Sequence, residues 1–249
     1  MKHREYFYTD PENISQKTVD IKGEEFRHLS RVLRKKERDV IDVVDGRGNL
    51  YTVVLTKISR ESAQGEIQKR VRFAGEPNFH LTLAQAIPKG NRFDLVIEKG
   101  TELGVSTFMP IICANSIGEA ATSRVARWKK IAIAAMKQSA RSVLPEILPP
   151  QPVHEIIQKK GILKIGFIAD DRSGAKSLTN LGIILKNKLA QQKSAIILIG
   201  PEGGLTPDEI NLAVKNDFHC FTLGQRRLRS ETAGIVASAI LMELMGEMG

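Results

Sequence analysis

From residue 81 onward, short apolar runs and helical segments take turns, and this alternation restricts the fold more than any other feature of the chain. Apolar runs at 81–87, 108–113, 162–169, 195–199 and 219–223 alternate with helix-periodic segments at 93–103, 124–141, 178–191, 207–216 and 231–245. Runs this short and this uniformly apolar read as strands buried on both faces, and the helices between them supply the crossovers that parallel strands require. The expected architecture is an α/β domain with a parallel sheet covered on both sides.

The first part of the chain has another texture. Residues 40–44 and 50–55 are rich in β-branched and aromatic side chains, and Asp45-Gly46-Arg47-Gly48-Asn49 between them is a strong hairpin signal. Residues 65–71 supply a further strand, and a small β-barrel is the natural way to bury such short strands. With Gly75-Glu76-Pro77-Asn78 as linker, the expected domains are 1–73 and 78–249.

Charge narrows the partners. Net charge is +9, and residues 1–72 hold 16 Lys and Arg against 12 Asp and Glu, the denser share of that excess. Cations that neutralise phosphates release counterions, so a basic chain favours a polyanion. No apolar run approaches the roughly 18 residues of a membrane span, and Met1-Lys2-His3-Arg4-Glu5 lacks the apolar stretch of a secretory signal. Cys113 and Cys220, each flanked by apolar residues, read as buried thiols and not as a disulfide framework or a metal site. A cytoplasmic protein without a metal is expected.

Residues 24–38 have helical periodicity. Phe26, Leu29, Val32 and Leu33 fall on one side, while Arg27, Arg31, Arg34 and Arg38 follow i, i+4, i+7, i+11 on the other, flanked by His28 and Ser30. Such a stripe also serves as an ordinary solvated face. Its single sign favours contact with an RNA backbone through charge-assisted bonds.

Two loops follow consecutive strands near the C-terminus. The first, Gly200-Pro201-Glu202-Gly203-Gly204, precedes a helix with Thr206 as cap, Pro207 in its first position and Asp208-Glu209 in its first turn. Glycines at a strand's carboxyl end let backbone amides approach a ligand. No phosphate-loop lysine motif occurs, and two acids beside the turn disfavour a pyrophosphate, so the turn suits a neutral or cationic reacting centre. The second loop runs from Leu223-Gly224 through Arg226, Arg227 and Arg229 to a final helix with Ser230 as its expected cap, an electropositive edge for an anion or a substrate oxyanion.

Taken with Leu223-Gly224-x-Arg226-x-Leu228-Arg229-x-Glu231-Thr232-Ala233, the first loop resembles the SPOUT superfamily of knotted methyltransferases. The similarity is greatest to the 16S rRNA uridine-N3 methyltransferases (RsmE-like). Three further stretches agree in order: 28–34, Glu98-Lys99-Gly100-Thr101-Glu102-Leu103-Gly104-Val105, and 127–132. The resemblance implies a PUA-like barrel followed by an α/β domain ending in a deep trefoil knot, a homodimer, S-adenosylmethionine as cofactor, and N3 of a small-subunit rRNA uridine as target. It implies cofactor contacts at Gly200, Glu202, Gly203, Gly204, Leu223, Gly224 and 228–233, including Leu228, Arg229, Thr232 and Ala233, with 83–86, Leu83 and Ala84 foremost, on the far side.

RNA contacts are expected at Arg27, His28, Arg31, Arg34, Gln138 and Arg141. Arg229 or Arg226 is expected to steady charge on a uracil carbonyl. Glu202 and Glu231 stand as proton acceptors, each with a structural reading beside it. Trp128 reads as core or dimer packing. The chain departs from the family's habit at Lys137 and Ala140, where a Glu and a Gly are usual, and at 115–123, which is less basic. The competing functions are a SPOUT enzyme acting on a ribose 2′-oxygen or another base, and a non-catalytic RNA-binding assembly protein.

Overall fold

A computed structural model of the chain describes residues 6–116, 124–159, 165–170 and 174–248. The charged residues 1–5, most of the 115–123 stretch and the start of the 162–169 run lie outside the described residues. The chain divides into two compact units, 1–76 with 133–144, and 77–132 with 145–249.

In the first unit, β1 (Tyr6–Tyr8), β2 (Thr18–Lys22), β3 (Val40–Val44), β4 (Asn49–Ile58) and β5 (Ser62–Arg72) form one sheet in the order β1-β3-β4-β5-β2. β3 and β4 are the expected hairpin. Asp45 closes its turn by accepting from the amides of Arg47 (2.8 Å) and Asn49 (3.1 Å) and from the Asn49 side chain. Inward residues including Phe7, Val19, Ile21, Val43, Val53 and Leu55 make the core, over which α1 (Gly23–Arg27) lays Phe26 and the turn that follows it lays Leu29.

The basic helix is shorter than its periodicity predicts. After Arg27 the backbone makes a π-helical turn over His28–Val32, with the Leu33 amide donating to the His28 carbonyl, and Arg34 is left-handed (φ +50°). The wider turn shifts the helical phase, so Val32 is 65% exposed instead of joining the core. Arg27 and Arg31 are exposed on the helical turns; Arg34 and Arg38 lie beyond the helix and do not continue its stripe. His28 is half-buried with its ring 6.2 Å from Phe7, and the Ser30 hydroxyl is spent on the Phe26 carbonyl.

The segment 133–144 corrects a second expectation. The helix α3 (Arg124–Gln138) ends at Gln138, which is exposed, and Ala140 turns the chain at φ +59°. Arg141 therefore does not share a helical turn with Gln138. It is buried (3% exposed) against Glu76 (8%), donating to Oε2 at 2.8 Å, while Oε1 of Glu76 accepts from the amides of Ser142 (2.7 Å) and Val143 (2.8 Å). A guanidinium committed in this way holds the fold together and is not presented beside Gln138 as the helical reading expected. The unusual Lys137 pairs with Glu25.

The second unit carries β6 (His80–Ala86), α2 (Arg92–Glu102), β7 (Thr107–Ile112), β8 (Glu146–Ile147), β9 (Gln151–Pro152), α4 (Val153–Gln158), β10 (Ile165–Ala169), β11 (Lys176–Ser177), α5 (Leu178–Ile184), α6 (Lys186–Gln192), β12 (Ser194–Ile199), α7 (Pro207–Lys215), β13 (Phe218–Thr222) and α8 (Ser230–Leu244). Every strand pairing is parallel, in the order β11-β13-β10-β12-β6-β7-β8, with β9 also on β7. The single helix expected over 178–191 is two, broken at Leu185 (ψ +5°). Trp128 is fully buried against Phe93, ring centroids 4.5 Å apart, as core packing. Among the described residues, no helix is long and apolar enough to cross a membrane.

Removing one partner of a buried ion pair strands the other. Arg141→Met should lower the stability of the full chain by about 3 kcal/mol, read by urea denaturation, with far smaller losses for Gln138→Ala.

Candidate ligand-binding site

The parallel registers align the carboxyl ends of neighbouring strands. Ala169 of β10 stands opposite Phe221 of β13, and Ile199 of β12 opposite Gln85 of β6. Open α/β sheets bind ligands at this edge. There a cavity of about 700 Å³ opens, walled by Ala169 and Asp170, by the turn from Ile199 to Leu205, and by the loop from Phe221 to Ser230, with Ile210 and Ala233 completing it.

The first wall is built by its flanking caps. Thr206 and Glu209 form a capping box at the start of α7, and Glu209 also accepts from the Ala114 amide at 2.8 Å. Asn115 donates to the carbonyls of Gly203 (3.4 Å) and Gly204 (3.2 Å), so the turn is held from outside. Gly204 (φ +76°) and, on the second loop, Gly224 (φ +111°) have no atom within 4 Å of where a Cβ would stand. Both therefore present bare backbone to the cavity.

The second wall is tied to the first by Ser230. Its hydroxyl donates to the Gly200 carbonyl (2.7 Å) and accepts from the side-chain amide of the fully buried Gln85 (2.7 Å). Arg229, not Ser230, occupies the cap position of α8, and neither caps it through a side chain. The serine hydroxyl bridges the loops instead. Gly234 is required one turn on, because a Cβ there would collide with Gln85 Oε1.

The cavity brings together Gly200, Glu202, Gly203, Gly204, Leu223, Gly224, Arg226, Leu228, Arg229 and Ala233. Arg226, Arg227 and Arg229 are exposed along one rim. Leu83 and Ala84 lie elsewhere, fully buried in β6, with β12 standing between that strand and β10. Thr232 is exposed on α8 and does not line the cavity. Glu231 lies behind the wall; one oxygen is 3.8 Å from Nε of Arg92 and the other, Oε2, is buried with no hydrogen-bond partner. Glu202 accepts from the Lys89 amide (3.2 Å) and from Nη1 of Arg92 (3.5 Å). Arg92 thus bridges the carboxylates of both loops.

Sequence reasoning missed Arg92, Asn115 and Asp170, and gave neither Gln85 nor Ser230 its part in the bridge. Only Asp170 had a usable signal, being the first residue after a strand's carboxyl end. The others act through contacts between segments distant in the chain. Among the described residues, no cluster of three or more His, Cys, Asp or Glu side chains is placed to hold a metal ion.

Comparison with known proteins identifies what this site is similar to. The family model described as an RNA methyltransferase domain matches residues 75–242, and one described as an RNA methyltransferase PUA domain matches 21–68. A "Ribosomal RNA small subunit methyltransferase E" from Synechocystis sp. is 31% identical, covering 94% of this chain and 76% of the relative. The Bacillus subtilis protein of that name is 29% identical over 88% of each chain. The crystal structure of such an enzyme from Neisseria gonorrhoeae, bound to S-adenosyl methionine, superposes with a TM-score of 0.85 at 34% identity, covering 97% of this chain and 98% of the other. A Legionella pneumophila methyltransferase with bound SAM gives 0.82 at 25% identity, covering 97% and 98%.

Ser230→Ala leaves the Gly200 carbonyl and the Gln85 amide without their shared partner. The expected cost is about 1–3 kcal/mol, measured by chemical denaturation.

Proposed function

Because this chain belongs to the RNA methyltransferase family, we propose that it methylates N3 of a uridine in small-subunit (16S) ribosomal RNA, using S-adenosylmethionine. The observation that carries the reading is the cavity closed by two glycine loops and rimmed on one side by arginines. Its volume falls within the roughly 300–1,000 Å³ usual for small-molecule sites. Two glycines with open space in place of a side chain leave peptide groups free to meet an adenosyl group, and the residues fit that cofactor.

Bound there, S-adenosylmethionine supplies an electrophilic methyl group, and its sulfur keeps the electron pair of the broken bond. The protein's share is orientation and charge. Backbone at Gly203, Gly204, Leu223 and Gly224 holds the cofactor, with Leu228 and Ala233 giving apolar contact. Uracil N3 must lose its imide proton before its electron pair can form the new bond to carbon. As it does, negative charge spreads to the carbonyl oxygens, where Arg229 or Arg226 steadies it. Glu202 is already engaged by the Lys89 amide and Arg92, and Glu231 faces Arg92 from behind the wall, so we give both acids positioning roles. The proton leaves to water at the open rim.

The same family reading extends to finer features. From the likeness to that family we infer a C-terminal segment threaded as a trefoil knot, an exception to the rule against knots. The same likeness is our ground for inferring a homodimer. Exposed Arg27 and Arg31, together with Gln138, are our choice for contacts to the RNA, in a protein working in the cytoplasm beside its ribosomal substrate.

Nucleoside mass spectrometry after incubating small-subunit RNA, naked or assembled, with cofactor and protein tests the reading. We expect 3-methyluridine; 2′-O-methyl products alone would overturn the assignment, and failure to bind S-adenosylmethionine in titration calorimetry would favour a non-catalytic RNA-binding protein. Arg229→Ala should lower kcat by about a hundredfold with cofactor affinity nearly unchanged. Gly203→Asp, whose Cβ would stand 3.1 Å from Asn115 Cβ, should force the glycine turn off its Asn115 clamp and abolish cofactor binding.

A further inference from the structure

Phe73 ends β5 in a state that ordinary packing does not account for. It is 55% exposed, and its backbone is left-handed (φ +53°), a conformation unfavourable for any residue with a Cβ. Two backbone bonds hold it there: its amide donates to the Gly48 carbonyl (2.6 Å), and its own carbonyl accepts from the Glu76 amide (3.2 Å). The ring lies against Gly48, where a Cβ would come within 2.8 Å of it, so the hairpin turn is cut away to seat the aromatic. An isolated exposed hydrophobic residue needs no explanation. One fixed in a strained conformation over a glycine does.

The surroundings are cationic. The Arg72 guanidinium lies 5.2 Å from the centre of the Phe73 ring. Arg70, exposed and two residues back along β5, is held by Asn49 (2.9 Å) and the Tyr51 ring (5.8 Å), and Arg47, preceding Gly48, is exposed. The nearby acids are turned inward: Asp45 is buried in the hairpin turn, and Glu76 is taken by Arg141. A planar aromatic and a planar guanidinium, fixed and ringed by positive charge, match an unpaired nucleobase and its flanking phosphates.

We propose that Phe73 and Arg72 form a stacking platform for an unpaired nucleotide of the RNA substrate, separate from the turn bearing Arg27 and Arg31. This rests on the RNA methyltransferase reading above. It assigns a specific base-stacking contact to the first unit, where the charge pattern alone offers only backbone attraction.

The test compares the full-length parent chain with Phe73→Ala, Phe73→Trp and Arg72→Gln on a single-stranded 12-nucleotide RNA, on a duplex of the same sequence, and on small-subunit RNA. Phe73→Ala should weaken single-strand binding about tenfold with little change for the duplex, and Phe73→Trp should retain it. Arg72→Gln should also flatten the salt dependence, which Phe73→Ala should not. 5-Iodouridine in the strand should photocrosslink to residue 73, mapped by mass spectrometry. Unchanged cofactor binding and thermal melting check that the variants remain folded. If the parent methylates RNA and Phe73→Ala binds the single strand as the parent does, or the crosslink falls elsewhere, the platform is wrong and the function stands. If the parent binds and methylates no RNA, both fall.

Discussion

The hydroxyl of Ser230 holds the site together by bonding in two directions at once. It gives its proton to the carbonyl of Gly200 and takes one from the amide of Gln85, and each of these three groups is contributed by a different part of the chain. Without that bridge, the Gly200 carbonyl and the buried Gln85 amide would each lose their short bond to the start of α8. With it, two loops separated by some thirty residues enclose one cavity. The packing tolerates little else here: Gly234 leaves space for the Gln85 side chain, and Asn115 ties the opposite end of the turn.

This arrangement explains why the parts of the site differed in how well the sequence revealed them. Glycines at the ends of two strands, and Pro207 behind the Thr206 cap, are local signals, because backbone conformation and helix starts are decided by a few neighbouring residues. They marked both cavity walls. The fold class was legible for the same reason: parallel strands buried on two faces have no need of polar alternation, and the runs say so. Gln85 carried no comparable signal. A glutamine inside an apolar strand has meaning only once the strand's neighbour and the helix above it are known.

Two of the misreadings share a cause. Periodicity drew a single arginine-striped helix over 24–38, but a π-turn at His28–Val32 and the left-handed Arg34 break the count of residues per turn. Helix continuity likewise put Arg141 one turn beyond Gln138, whereas the reversal at Ala140 sends it inward to Glu76. Each of the two came from extending a regular pattern past a short stretch of irregular backbone. Charge patterns on a helix hold only as far as the helix does.

The division of the chain bears on how the protein is made. The first compact unit is discontinuous in sequence: it contains residues 1–76, yet needs 133–144. Glu76 and Arg141 are 65 positions apart. At elongation rates of about 5–20 residues per second, roughly 3 to 13 seconds pass between synthesis of one and the other. Throughout that interval the acid waits without its base while much of the next unit is being assembled. The N-terminal unit therefore completes its Glu76–Arg141 pair only after residues 77–132, which belong to the other unit, have been made.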